Sequence, residues 1–205
     1  MGFKKEIIVF IVALFVGVNT AKAQVVENGE RQGLLQATAS IYPVQQLNVS
    51  GLNIYLGGYA NYYFDDKYSF RGDIFQYIGA QKKPGYLKNN TVIQAGFIRY
   101  FPIKRFDPFV GVQVGASIIE TNERKGERVI NSVFALKAGV NFHVYKYFYF
   151  FAELQYAHQP DPWHSRPYDT FTGTGGLGFQ LPCYSLAKKN RSEKIKKIGN
   201  APPNF

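Results

Sequence analysis

Three histidines, His143, His158 and His164, are the side chains that could serve as general bases near neutral pH. A hydrolase or acyltransferase needs a nucleophile within hydrogen-bond reach of such a base. His158 and His164 share a short stretch with Ser165, Asp161 and Asp169, the residue types of a nucleophilic triad or a metal site. The same stretch carries Pro160, Pro162, Pro167 and Trp163, the composition of a stiff surface loop. His143 stands two residues after Asn141, and the simplest expectation for it is a hydrogen-bonded structural histidine. No catalytic, metal-binding or cofactor-binding set emerges, and the reading is of a protein that is not an enzyme. Three other groups suit anion recognition: Lys82, Lys83, Tyr86 and Lys88; Arg124, Lys125 and Arg128; and Trp163, His164 and Arg166. Arg and Lys at these positions suit phosphate or carboxylate contacts, or simply keep loops soluble.

The formal charge of +10 does not indicate a nucleic-acid partner, because of where it lies. Lys188, Lys189, Arg191, Lys194, Lys196 and Lys197 face only Glu193, so the C-terminal tail takes +5 of the total. Lys4, Lys5 and Lys22 against Glu6 place +2 at the other end, leaving a body of only +3. That N-terminal stretch reads as a secretory signal peptide: two lysines, an apolar run from Ile7 to Val18, then Ala21-Lys22-Ala23. The run is too short for a membrane-spanning helix, which needs about 20 residues. Cleavage is expected between Ala23 and Gln24. A single cysteine, Cys183, excludes an internal disulfide. The expected organisation is a signal peptide over 1–23, a short segment over 24–32, one domain over 33–181 and a basic tail over 182–205.

The residues between are positioned by β-structure, since 17% of the chain is aromatic and glycine is frequent. Period-two alternation is clearest from Leu52 to Phe64, where Leu52, Ile54, Leu56 and Ala60 share one face and Asn53, Tyr55, Tyr59 and Asn61 the other. It recurs from Phe134 to Val144, from Val110 to Ile118 and from Phe148 to Tyr156. Less regular segments are Leu35 to Tyr42, Phe70 to Ile78, Val92 to Phe101 and Phe171 to Leu181, giving eight strands. Short links (Asp65-Asp66-Lys67, Pro102 to Asp107, Tyr145-Lys146) alternate strictly with long polar ones (Pro43 to Ser50, Gly79 to Asn90, Glu120 to Asn131, His158 to Thr170). Aromatic residues crowd the short turns, as at a membrane interface. The pattern predicts an all-β, eight-stranded antiparallel up-and-down transmembrane β-barrel. Its lumen has room for side chains and not for a water-filled pore.

Register places charge inside. With the third short turn centred on Tyr145, Lys137 is expected opposite Glu153; in the first hairpin Tyr59 is expected opposite Asp73 and Asn61 opposite Arg71. Arg71, Asp73, Lys137 and Glu153 should then form a neutral layer across the lumen.

The phrases Gly57-Gly58-Tyr59, Arg99-Tyr100-Phe101, Pro108-Phe109-Val110-Gly111-Val112 and Gly175-Gly176-Leu177-Gly178-Phe179 resemble those of small eight-stranded outer-membrane barrels of the OmpA/OmpX type. The resemblance spans Leu35 to Leu181. It implies the outer membrane of a Gram-negative envelope, contact with membrane lipid and lipopolysaccharide, and insertion by the outer-membrane assembly machinery. In that family the last strand carries the assembly signal, and Gly176, Phe179 and Leu181 match its positions. Such signals usually end the chain, whereas here Pro182 and a basic tail follow, suited to an anionic periplasmic partner. The role this implies is structural or surface-binding through outer loops. The alternatives are a lipid-modifying acyltransferase or hydrolase, or the barrel component of a larger envelope or transfer complex.

Overall fold

Alternation along each strand sends one set of side chains to each face, and eight such strands can satisfy every backbone group only by closing on themselves. The computed structural model describes residues 31–47, 51–80, 87–122, 126–145, 147–160 and 168–183. Its strands are β1 (Leu34–Gln46), β2 (Leu52–Tyr63), β3 (Tyr68–Ala80), β4 (Leu87–Tyr100), β5 (Phe106–Thr121), β6 (Val129–Tyr145), β7 (Phe148–His158) and β8 (Thr170–Pro182). Each pairs antiparallel with its neighbour in sequence, and β8 returns to β1 to close the barrel. The expected signal peptide and basic tail lie outside the described residues.

The outward face is apolar from rim to rim: Ile93 is 57% exposed, Phe97 60% and Val114 66%. In water such a belt would be an aggregation surface; in a bilayer it is the face for hydrocarbon. The fold is thus a transmembrane β-barrel.

The strands run further than their hydropathy pattern. Pro43 to Gln46 belong to β1, Leu87 to Asn90 to β4, and Val129 to Asn131 to β6, all expected in loops. There the inward side chains become apolar, as at Val44 and Leu87, while outward ones such as Gln45 and Lys88 are polar, so the hydropathy contrast inverts while backbone pairing continues. Asp107, expected in a turn, is an inward-facing residue of β5. The first-hairpin register is as expected, with Tyr59 opposite Asp73 and Asn61 opposite Arg71. The third is shifted: Lys137 lies opposite Gln155 and Glu153 opposite Gly139. Tyr145, the expected centre of the turn, is itself a strand residue paired with Phe148, so the turn lies one residue later and each partner is displaced by two.

Both ends of the described chain meet at the short-turn rim, where Gly33 N donates to Tyr63 O at 2.7 Å and Cys183 N to Gly33 O at 2.7 Å.

Candidate functional site

The lumen is filled in layers, and the central one is charged. Arg71 and Asp73 alternate inward on β3, Lys137 comes from β6 and Glu153 from β7, all buried. Arg71 Nη2 donates to Asp73 Oδ1 at 2.8 Å, and Arg71 Nη1 lies 2.7 Å from Glu153 Oε2. Lys137 Nζ reaches Asp73 Oδ1 at 2.6 Å. Lys137 thus pairs with Asp73 across the barrel and not with Glu153, which belongs to Arg71. Asp73 also accepts from Gln113 Nε2 of β5 at 2.5 Å. The guanidinium carbon lies 3.4 Å from the centre of the Tyr59 ring, a cation–π contact in a site without bulk water. Two positive and two negative side chains balance, which is what makes their burial tolerable.

One layer nearer the short turns, Asn61 Nδ2 donates to Gln36 Oε1 at 3.1 Å and to Tyr100 Oη at 3.0 Å. Tyr149 donates to Tyr59 Oη at 3.0 Å, in space left by Gly178, where a Cβ would stand 2.2 Å from the Tyr149 ring.

The short-turn end is closed by a cluster the sequence did not disclose. Arg31, just upstream of β1, donates from Nε to Asp107 Oδ2 at 2.7 Å and from Nη2 to Asp107 Oδ1 at 2.9 Å. The same Nη2 bonds Lys104 O at 3.0 Å, and Arg31 N bonds Asp66 Oδ1 at 2.8 Å, so one residue ties two short turns together. Lys104 holds a left-handed backbone (φ 57°), which aims its carbonyl at the guanidinium. His143, the lumen histidine, sits between Asp107 Oδ2 (Nε2, 2.7 Å) and Gln180 Oε1 (Nδ1, 2.8 Å). Arg31 was hidden because it precedes the first alternating segment, and Asp107 because Pro102 to Asp107 reads as a turn.

Toward the long loops the lumen turns apolar, lined by Tyr42, Tyr55, Phe75, Val92, Val133 and Tyr168. Tyr42 and Phe75 meet edge to face at 4.8 Å between centroids. Tyr55 accepts from Asn90 Nδ2 at 3.0 Å, and Tyr168 from Asn53 Nδ2 at 3.1 Å. Tyr168 stands just ahead of β8, and burial, with Tyr55 beside it, pushes its hydroxyl well above the usual tyrosine range.

At the long-loop rim, Glu120 gathers Lys88 Nζ, Gly126 N (3.1 Å) and Arg128 Nε (3.4 Å). His158 Nδ1 meets Asp169 Oδ1 at 2.7 Å, with the imidazole about half exposed. The other proposed loop contacts, Lys82, Lys83, Tyr86, Arg124, Lys125, Trp163, His164 and Arg166, lie outside the described residues, as do Asp161 and Ser165. Among the described residues no group of three metal-ligating side chains occurs.

A closed eight-stranded antiparallel barrel with this exterior matches solved structures. Neisserial surface protein A is 16% identical, with a TM-score of 0.55 over 73% of this chain and 96% of that one. The fold is that of the small outer-membrane barrels. A second match, the N-terminal β-barrel domain of Pseudomonas aeruginosa OprF, is also 16% identical, with a TM-score of 0.53 over 73% of this chain and 98% of that one. No family model matches the chain, and no curated protein matches it either. Within the small outer-membrane barrel fold the charged layer acts as a plug: its partners span the lumen and bind one another. Planar-bilayer recordings of the purified barrel should therefore show no large, stable conductance; such a conductance would mean the layer can part.

Proposed function

We propose that this chain is exported by a signal peptide cleaved between Ala23 and Gln24, resides in the outer membrane, and acts without catalysis, its barrel anchoring loops that bind at the cell surface. The observation that carries this reading is the plugged lumen: a wall whose interior is spent on its own hydrogen bonds is a scaffold, and binding groups gather on the loops of rigid scaffolds. The short turns then face the periplasm, with the basic tail beside anionic neighbours there. The rim supports the reading, since Glu120 holds Lys88 and Arg128 in fixed places beside the β5–β6 loop. Fixed cations at headgroup height suit lipopolysaccharide phosphates or an acidic partner. Deleting 122–128 together with 159–167 should lower binding of whole cells to anionic surfaces at least tenfold while leaving the barrel's urea stability unchanged. Undiminished binding would remove the adhesive role.

The His158–Asp169 contact favours a second reading, because a carboxylate on Nδ1 is how catalytic histidines are oriented. A lipid-modifying hydrolase would also need a nucleophile, and Ser165 is the hydroxyl that the same loop offers. Esterase activity of the purified protein, lost in Ser165→Ala, would put this reading first.

A further inference from the structure

The wall of the barrel has one weak line, where β1 meets β8. The two strands pair at the short-turn end from Leu34 opposite Pro182 to Ala37 opposite Phe179, and again at the long-loop end from Val44 opposite Thr172 to Gln46 opposite Thr170. Between those stretches the register is unchanged, yet the six positions from Thr38 to Pro43 have no ladder partners in Gly173 to Gly178. At about 3.3 Å per residue the gap is roughly 20 Å long, most of a hydrocarbon core. Seven other strand pairs join the wall, and their ladders run without such a break.

Hydroxyl groups lace this seam in place of amides. Thr172 Oγ1 donates to Pro43 O at 2.6 Å, Thr174 Oγ1 to Ile41 O at 3.1 Å, and Ser40 Oγ reaches Gly175 O at 3.5 Å. Pro43 has no amide hydrogen to offer the ladder. Small residues make up much of the line, Ala37 and Ala39 outside on β1 and Gly173, Gly175 and Gly176 on β8, with Ile41 and Leu177 as its large outward side chains and Tyr42 on its lumen side. Unpaired backbone inside a bilayer is costly, and here three flexible side chains offset that cost by bonds that can be exchanged.

Cavities lie at both ends of the line. Outside, a groove runs beside Ala37, Ala39, Phe148 and Leu177. Inside, a small cavity opens among Tyr42, Val44, Phe75 and Thr172, within the apolar part of the lumen. Tyr42, Val44 and Thr172 belong to the seam's own two strands. The seam thus separates bilayer hydrocarbon from the apolar outer part of the lumen, with no charged side chain among the residues that line it.

We propose that the β1–β8 seam is a lateral binding site for a long acyl chain, which passes between the hydroxyl laces to lie with its end in the apolar outer lumen. The chemistry is that of a single hydrocarbon chain: narrow, unbranched and uncharged along its length. The charged layer below, with Arg71 and Glu153, stops it from running through toward the short turns. The site is separate from the loops and does not depend on what they bind.

The test uses the mature protein with Cys183→Ser in phospholipid vesicles and a long-chain fatty acid carrying a terminal diazirine. After irradiation, adducts mapped by mass spectrometry should appear on lumen-facing Tyr42, Tyr55 and Phe75. The register places Ala39 opposite Leu177, so Ala39→Cys with Leu177→Cys should lock the seam when oxidised. The lock should lower the lumen adducts at least tenfold, reductant should restore them, and adducts on the far exterior at Val112 and Leu136 should not change. A second block, Gly176→Leu, fills the lumen side of the seam beside Ser40 and should lower the same adducts without any disulfide. Adducts confined to exterior residues, or lumen adducts that persist in the oxidised lock and in Gly176→Leu, would overturn the proposal. Disulfide-linked dimers in place of the internal bond would assign the seam to a second copy and overturn it equally.

Discussion

Arg71→Ala should destabilise the barrel by about 3–5 kcal/mol, the usual cost of removing one partner from a buried ion pair. Arg71 is the hub: its guanidinium holds Asp73 and Glu153 and packs on Tyr59. Without it, two carboxylates and one ammonium remain in a closed lumen with a net charge of −1. Urea unfolding in lipid vesicles, followed by the loss of heat-modifiable migration on a gel, would measure the cost. Adding Glu153→Gln to Arg71→Ala removes the stranded charge and should recover part of the loss, since Lys137 and Asp73 still pair. Two independent, additive losses would mean that the four groups do not act as one layer.

Asp107→Ala should rank second, at about 3 kcal/mol, because it strands the Arg31 guanidinium and takes a partner from His143. It lies at the barrel's end, where water reaches more readily than at the centre, so its cost belongs at the low end of the range. Asp107→Asn keeps a hydrogen-bond acceptor and should cost less. The same urea measurement distinguishes them; equal stability of Asp107→Ala and the parent would mean the cluster is not formed in the membrane.

The middle of each strand was legible because lipid and lumen impose opposite demands on neighbouring residues: Leu136 faces out and Lys137 faces in. Strand ends such as Lys88–Asn90 and Glu120–Thr121 were not, since these residues are polar on both faces and carry no alternation. The central charges could be read as a set, because a small lumen brings residues of equal height together whichever strands bear them. Their partners could not. Pairing Lys137 with Glu153 required a turn centred on Tyr145, whereas Tyr145 is a strand residue paired with Phe148. The apolar outer lumen was visible only in outline: alternation sends Tyr55 inward, yet a tyrosine satisfies either a polar or an apolar reading. The open seam left traces in Pro43 and the glycines of β8, which read equally well as ordinary barrel wall.

Arg31 and Asp107 are separated by 76 positions along the chain, and that distance sets an order of events. The guanidinium just upstream of β1 cannot find its carboxylate until β5 stands beside its neighbours, nor can His143 complete the group until β6 follows. We expect this bond to close after the hairpins have committed to one another, so that Asp107→Ala leaves the rate of barrel formation unchanged and raises the rate of unfolding. Contacts formed after a transition state leave the rate of formation alone and slow the reverse reaction. The latch at the short-turn rim is in this sense a device of persistence: it lengthens the life of a finished barrel without hastening its making.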